Sequence, residues 1–257
     1  MAVSDTGFWF TARPVEDGGR IVGLADPRLA PILDGDGKPV AGKLNSDAEG
    51  LRTQSRDGRL EALVSFERKH SLRRFVARPD LAHANGRPVR LPKSVTNLTR
   101  NAGLEALAVA PAGSAFAGAM LMIAERSLDR DGNHRGRILG GPRAGTFALM
   151  RSDDFDVTDA AFLAGGHLLV LERRFSLLGG PAIRVRRVDG RILVEADIRH
   201  QIDNMEGMAL RPGAAGETRM LLISDDNKSP IQRTILLEFA LPADAVPTPR
   251  MRADAGP

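Results

Sequence analysis

The chain has 257 residues, of which 42% are hydrophobic and 26% charged, so it can bury a sizeable core and is not a disordered chain. It contains no cysteine, which excludes disulfides, thiolate zinc sites and a cysteine nucleophile. The net charge of +4 raises the question of nucleic acid, yet acids are interspersed among the basic residues, and the densest basic run (Arg184, Arg186, Arg187) lacks aromatic partners, so nucleic acid is set aside.

The N-terminus lacks the basic-then-apolar pattern of a signal peptide, and no stretch approaches the length of a membrane span. In chain order, strands are expected at 7–11, 21–24, 60–66, 120–124 and 167–171, then at 220–223 and 234–240. Asp-Gly pairs at Asp17, Asp34, Asp36, Asp57, Asp131 and Asp189 supply the positive φ angles of hairpin turns. The clearest hairpin runs from Ile183, Val185 and Val188 through Asp189-Gly190 to Ile192, Val194, Ala196 and Ile198. No long stretch has a helical period. Trp9, between Phe8 and Phe10, reads as packing, and the five histidines (His70, His83, His134, His167, His200) lack metal-ligand spacing and read as loop or surface residues. Asp129-Arg130-Asp131-Gly132-Asn133 reads as a turn tip rather than a calcium loop, because the distal glutamate is missing. No G-x-S-x-G elbow, P-loop or dinucleotide fingerprint is present.

Two short motifs recur in fixed order. Asn45 to Leu51 (N-S-D-A-E-G-L) is echoed by Asn101 to Leu107 (N-A-G-L-E-A-L), by Asp203 to Met208 (D-N-M-E-G-M) and more weakly by Asp156 to Ala161 (D-V-T-D-A-A). Each copy is followed by an apolar run ending in an acid, at Glu67, Glu125, Glu172 and Asp225. A period of about fifty residues fits one four-stranded blade, so the expected fold is an all-β propeller with five recognisable blades. Met1 to Asp5 matches the end of the second motif, so the first blade begins in its middle. The expectation is that a segment holding one inner strand, with room for a secretion signal, is missing; six blades fit if that segment is long. The propeller is assigned to 1–241 and a disordered tail to 242–257.

Innermost strands of successive blades surround a central channel, so equivalent residues converge there. Glu49, Glu105, Asp159 and Glu206 are expected to form one ring of carboxylates, and Glu67, Glu125, Glu172 and Asp225, with Asp5, another one strand further out. Converging carboxylates need a cation, a proton or an arginine, and an oxygen-rich ring suits Ca²⁺. Glu49, Glu105 and Glu206 are the candidate metal ligands. Glu49, Glu105, Glu206, Asp225 and Asp226 are the candidate catalytic residues, with Arg68, Arg126, Arg173 and Asn227 holding the substrate. The competing reading is that each acid pairs with an arginine and caps a strand end.

Together these motifs, with S-D-x-G at Ser4 to Gly7, L-E-R-x-F at Leu171 to Phe175 and L-I-S-D-D-N at Leu222 to Asn227, resemble the phytase-like domain family, whose bacterial members are described as "esterase-like activity of phytase". The resemblance runs from Ser4 to about Leu241. It implies a propeller, usually exported to the periplasm or secreted, that hydrolyses a small-molecule phosphate or carboxylic ester. A non-catalytic propeller binding a ligand or a partner protein stays open beside it, as does a calcium-dependent lactonase. The substrate and the oligomeric state are not legible.

Overall fold

The computed structural model describes residues 1–96, 104–177 and 179–242. Residues 243–257 of the expected tail and Asn101 to Gly103 of the second motif copy lie outside the described residues. The described residues form five antiparallel sheets in a ring, a five-bladed β-propeller. The first sheet holds β1 (Ala2–Val3), β2 (Phe8–Asp17) and β3 (Arg20–Pro31). The second holds β4 (Ala48–Arg56), β5 (Arg59–Phe66), β6 (Ser71–Val76) and β7 (Arg87–Val89). The third holds β8 (Leu104–Val109), β9 (Met120–Leu128), β10 (His134–Leu139) and β11 (Gly145–Leu149). The fourth holds β12 (Asp156–Phe162), β13 (Leu168–Ser176), β14 (Gly180–Arg187) and β15 (Ile192–Asp197). The fifth holds β16 (Met205–Pro212), β17 (Thr218–Ser224) and β18 (Leu236–Ala240). No helix of the described residues is long and apolar enough to cross a membrane.

The Asp-Gly pairs make the turns that the strands need. At Asp57-Gly58 both residues have positive φ (51° and 73°), the geometry whose twist matches the flanking strands β4 and β5. The first hairpin is longer than its alternation suggests. Charged side chains such as Arg13 and Asp26, paired across β2 and β3 at 3.1 Å, mask the period on this exposed blade.

The middle strands read as unbroken apolar runs because both of their faces are buried. In β13, Leu169 and Leu171 pack toward the fifth sheet, whereas Leu168 and Val170 pack toward the third. In β5, Val64 and Phe66 face the first sheet and Leu63 faces the third. Trp9 is wholly buried between the first two sheets, edge-on to Phe75 with centroids 5.1 Å apart. His70, in the turn before β6, and His134 are also buried; His134 lies in a strand, against the expectation of a loop or surface residue. His134 opens β10 between Leu128 and Leu149, a position that alternation places inside. Arg184 and Arg186 are buried on the Glu172 carboxylate and so form no basic patch. The ring closes through charge: Arg211 donates to Glu16 at 2.8 Å, and the Ile21 amide donates to Glu238 at 3.1 Å.

Candidate functional site: a carboxylate cup at one end of the axis

The strands β4, β8, β12 and β16 lie innermost, each at the start of its sheet, and each enters its ladder through a β-bulge. In the fifth sheet, Met205 opposes Ser224 and Gly207 opposes Ile223, leaving Glu206 as the extra residue. In the third sheet Leu104 opposes Ala124 and Ala106 opposes Ile123, leaving Glu105. In the second sheet the irregularity between Ala48 and Leu51 holds Glu49. A bulge re-aims its extra side chain, and here it turns a glutamate toward the axis. Immediately beyond the paired residue of the second strand stand Glu67, Glu125 and Asp225. The two sets of acids therefore line one cavity rather than two separate rings.

This cup has a volume of about 350 Å³. It is lined by Asp5, Asp47, Glu49, Glu67, Glu105, Glu125, Glu206 and Asp225, by Lys43, Arg68, Arg126 and Arg173, and by Asn227. Eight acids thus face four basic side chains, and no lining side chain is apolar. Burial, reinforced by Glu105 and Glu206 and then by Asp47 and Glu67, pushes the Glu49 carboxyl up to about 10. Glu105 also rises well above the ordinary carboxylate range, through burial and then Glu125, Glu67 and Glu206. Burial raises Glu67, helped by Asp47 and opposed by Arg68. Burial raises Glu206 too, against the pull of Arg173. At neutral pH Glu49 holds a proton unless a cation takes its place.

The fourth sheet departs from this pattern by one residue. Val157 opposes Glu172 and Asp159 opposes Leu171, so Thr158 occupies the bulge and Glu172 sits where the other sheets place Phe66, Ala124 and Ser224. A shift of one residue exchanges the faces of a strand. Asp159 and Glu172 accordingly do not reach the cup, contrary to the sequence expectation. Asp159 is buried, ion-paired to Arg52 and accepting from the Met208 amide at 2.7 Å. Arg52, from β4, also donates to the Ala160 carbonyl at 3.1 Å, which joins the second and fourth sheets below the acids. Glu172 is wholly buried between Arg184 and Arg186, both at 2.8 Å.

The same shift delivers Arg173 to the position that an acid holds in the other sheets. Its guanidinium donates to Glu125 at 3.1 Å and to Glu206 at 2.9 Å, and it also bonds Asn204. Arg173 is therefore not the counterpart of Arg68 and Arg126, which follow their acids. Arg68 donates to Asp47 at 2.8 Å. Arg126 is largely exposed, 3.7 Å from Glu125 and 3.8 Å from Asp156. Asn227 lines the mouth. Asp226 does not line the cup: its carboxylate accepts from the Lys228 amide at 2.8 Å and from the Thr234 hydroxyl at 3.0 Å, which folds the loop after β17.

Asp47, Glu49 and Glu67 bring one carboxylate oxygen each to within 4.8 Å of one another, a group that could hold a metal ion. Of the expected ligand set of Glu49, Glu105 and Glu206, this group contains Glu49, with Asp47 and Glu67 beside it. Glu105 and Glu206 also act on the charge of Glu49. The donor set, three carboxylates, suits a hard cation such as Ca²⁺. Sequence reasoning missed Asp47, and a signal for it existed. Asp47 stands two residues before Glu49 as Asn204 stands before Glu206, and the backbone carbonyls of both accept from the residue after the second motif's strand, Glu67 at 3.0 Å and Asp225 at 3.0 Å.

A larger cavity, about 540 Å³, flanks the outer strands of the third sheet and contains none of the repeat acids.

Comparison with known proteins agrees with the motifs. The family model Phytase-like, described as "Esterase-like activity of phytase", matches residues 1–228. No curated protein matches the chain. Among solved structures, an endo-arabinase from Bacteroides thetaiotaomicron superposes with a TM-score of 0.46 at 13% identity, covering 75% of each chain. A mannose phosphorylase from Leishmania mexicana, in complex with phosphate ion, gives 0.43 at 13% identity over 85% of this chain and 70% of that one. A protein of unknown function from Dyadobacter fermentans gives 0.40 at 10% identity over 89% of this chain and 62% of that one.

Proposed function

The chain belongs to the phytase-like family, and from that premise we propose that the carboxylate cup hydrolyses a small-molecule phosphate or carboxylic ester with the help of a divalent cation. The observation that carries the reading is the convergence of Asp47, Glu49 and Glu67 within 4.8 Å inside a cup where eight acids meet four basic side chains. Asp47, Glu49 and Glu67 would hold the ion. A bound Ca²⁺ would act as a Lewis acid on an ester or phosphoryl oxygen and offset the carboxylate charge.

The chain's own residues divide the remaining work. Arg173, drawn toward Glu125 and Glu206, presents a planar fork of donors suited to an anionic oxygen pair. Glu105, whose proton is held by burial and by its acidic neighbours, is placed to donate to a leaving oxygen. Glu206, oriented by Asn204 at 2.7 Å, and Asp225 are the candidate bases that take a proton from water. The all-polar lining favours a phosphate ester or another highly polar ester over one with a long acyl chain.

A second reading, a ligand-binding propeller without turnover, draws on the pairs Arg68–Asp47 and Arg173–Glu206, which also make sense as strand-end ion pairs. Assays of p-nitrophenyl phosphate and p-nitrophenyl acetate, with and without Ca²⁺, separate the two. The hydrolase reading predicts cation-dependent turnover that falls about 100-fold or more in Glu105→Ala and in Glu206→Ala. Turnover that is absent, or unchanged in both variants, rejects it. Thermal stabilisation by Ca²⁺ without turnover favours the binding reading.

A further inference from the structure

The interior of the cup is charged, but the face that surrounds its mouth is not uniformly so. In the second to fifth sheets the second strand, and the fourth where present, runs toward the cup, as β1 and β3 do in the first sheet, so the loops after β3, β11, β13, β15 and β17 all emerge at the cup end. Seven large apolar side chains of the described residues stand more than half exposed: Val22, Leu29, Met150, Phe175, Leu177, Ile198 and Ile231. All except Val22 lie at or next to the cup-end loops. Leu177 is 96% exposed, Ile231 87% and Phe175 74%, far beyond the scattered partial exposure that any protein surface carries. Ile198 closes against Gly180, at the base of the loop that carries Phe175 and Leu177, so these three stand on neighbouring parts of the fourth sheet's cup end. Ile231 and Leu29 extend the arc over the fifth and first sheets.

At the loop after β11 the acids Asp153 and Asp154 are more exposed than their partners Arg184 and Arg151, but at the loops after β15 and β17, along the arc, the bases stand outward. Arg199 pairs with Asp197, Arg233 with Asp203 and Lys228 with Asp5, and in every pair the base is the more exposed partner. Separate apolar tips set among outward-facing bases do not make a groove for a helix or a seam for a strand. They match a lipid–water interface, where apolar side chains enter the acyl boundary while Lys and Arg meet anionic headgroups.

We propose that the arc formed by Phe175, Leu177, Ile198, Ile231 and Leu29 is a docking surface for an anionic membrane, which brings the mouth of the cup to the headgroup layer. The inference does not depend on which bond, if any, the cup cleaves. Co-sedimentation with phosphatidylcholine vesicles, with and without phosphatidylglycerol, tests it on the full chain. The chain is expected to sediment with the anionic vesicles and not with the neutral ones. Phe175→Asp and Leu177→Asp should each weaken that binding about tenfold, and Val22→Asp, an apolar site also more than half exposed but away from the arc, should leave it unchanged. Absence of binding to the anionic vesicles overturns the proposal, as does an equal loss in all three variants. Light scattering covers the remaining alternative: if the chain is a dimer that Leu177→Asp makes monomeric, the arc is an interface between two copies and not a lipid surface.

Discussion

Glu49 stands where a carboxylate has most difficulty staying charged: buried, with Glu105 and Glu206 facing it and Asp47 and Glu67 beside it. Its proton has a consequence for stability. A carboxyl whose folded pKa lies above its unfolded value adds stability that is fully present below about 4.5 and is lost as pH rises toward about 10. Each proton released on unfolding or binding changes a free energy by about 1.4 kcal/mol per pH unit. Urea unfolding in the presence of a chelator should therefore show stability declining between pH 5 and pH 9, and Glu49→Gln should flatten the decline. Added Ca²⁺ should reverse it in the native chain only. A profile that rises over this range, or one that Glu49→Gln leaves unaltered, contradicts the account of the cup.

At the scale of the strand, the bulge decides which acids matter. Glu49, Glu105 and Glu206 were legible in the sequence because the motif preserves both the acid and the small residue after it, and the bulge places them alike. Asp159 and Glu172 were misplaced for a physical reason. Aligning the weak copy by its acids ignores the ladder, in which Thr158 takes the bulge and Arg173 the cup-lining position after it. Nothing in a two-residue-period pattern marks a slip of one. The signal for Asp47, its place two residues before the bulge glutamate, was passed over because the other copy has Asn204 there and the motif was aligned on its acids. The two kinds of acid should respond in opposite ways to neutralisation. Glu172→Gln leaves Arg184 and Arg186 buried without their charge partner and should cost about 3–5 kcal/mol by denaturant titration. Glu105→Gln replaces a carboxyl whose charged form burial and the acids around it already disfavour, and should be neutral or stabilising. Equal losses would place both acids in the same environment, against the observed register. Gly136→Ala is a separate test of packing, because a Cβ there would lie 2.2 Å from the Phe147 ring; a loss of about 1–3 kcal/mol is expected.

Across the whole molecule, four of the five seams between sheets are apolar among the described residues and one is charged. Clusters centred on Trp9 and Val64, on Leu63 and Met122, on Ile123 and Val170, and on Leu171 and Leu222 join the sheets in order from first to fifth. The fifth and first sheets meet through Arg211, Glu16 and Glu238. Hydrogen exchange should accordingly be fastest along β3 and β18, and Glu238→Ala should accelerate it there while changing global stability by about 1 kcal/mol or less. The propeller itself was readable from the repeat; its charged seam was not, because it joins residues 195 and 217 positions apart.

The cup at the head of this ring is the centre of the account, and calcium binding tests it most directly. Calorimetric titration with Ca²⁺ near neutral pH, repeated in buffers of different ionisation enthalpy, should show binding accompanied by proton release as the ion displaces the proton on Glu49. In Glu49→Gln the affinity should fall and the proton release should vanish. No detectable binding, or binding with the same proton release in both proteins, would contradict the assignment of Asp47, Glu49 and Glu67 as the cation-holding group of the cup.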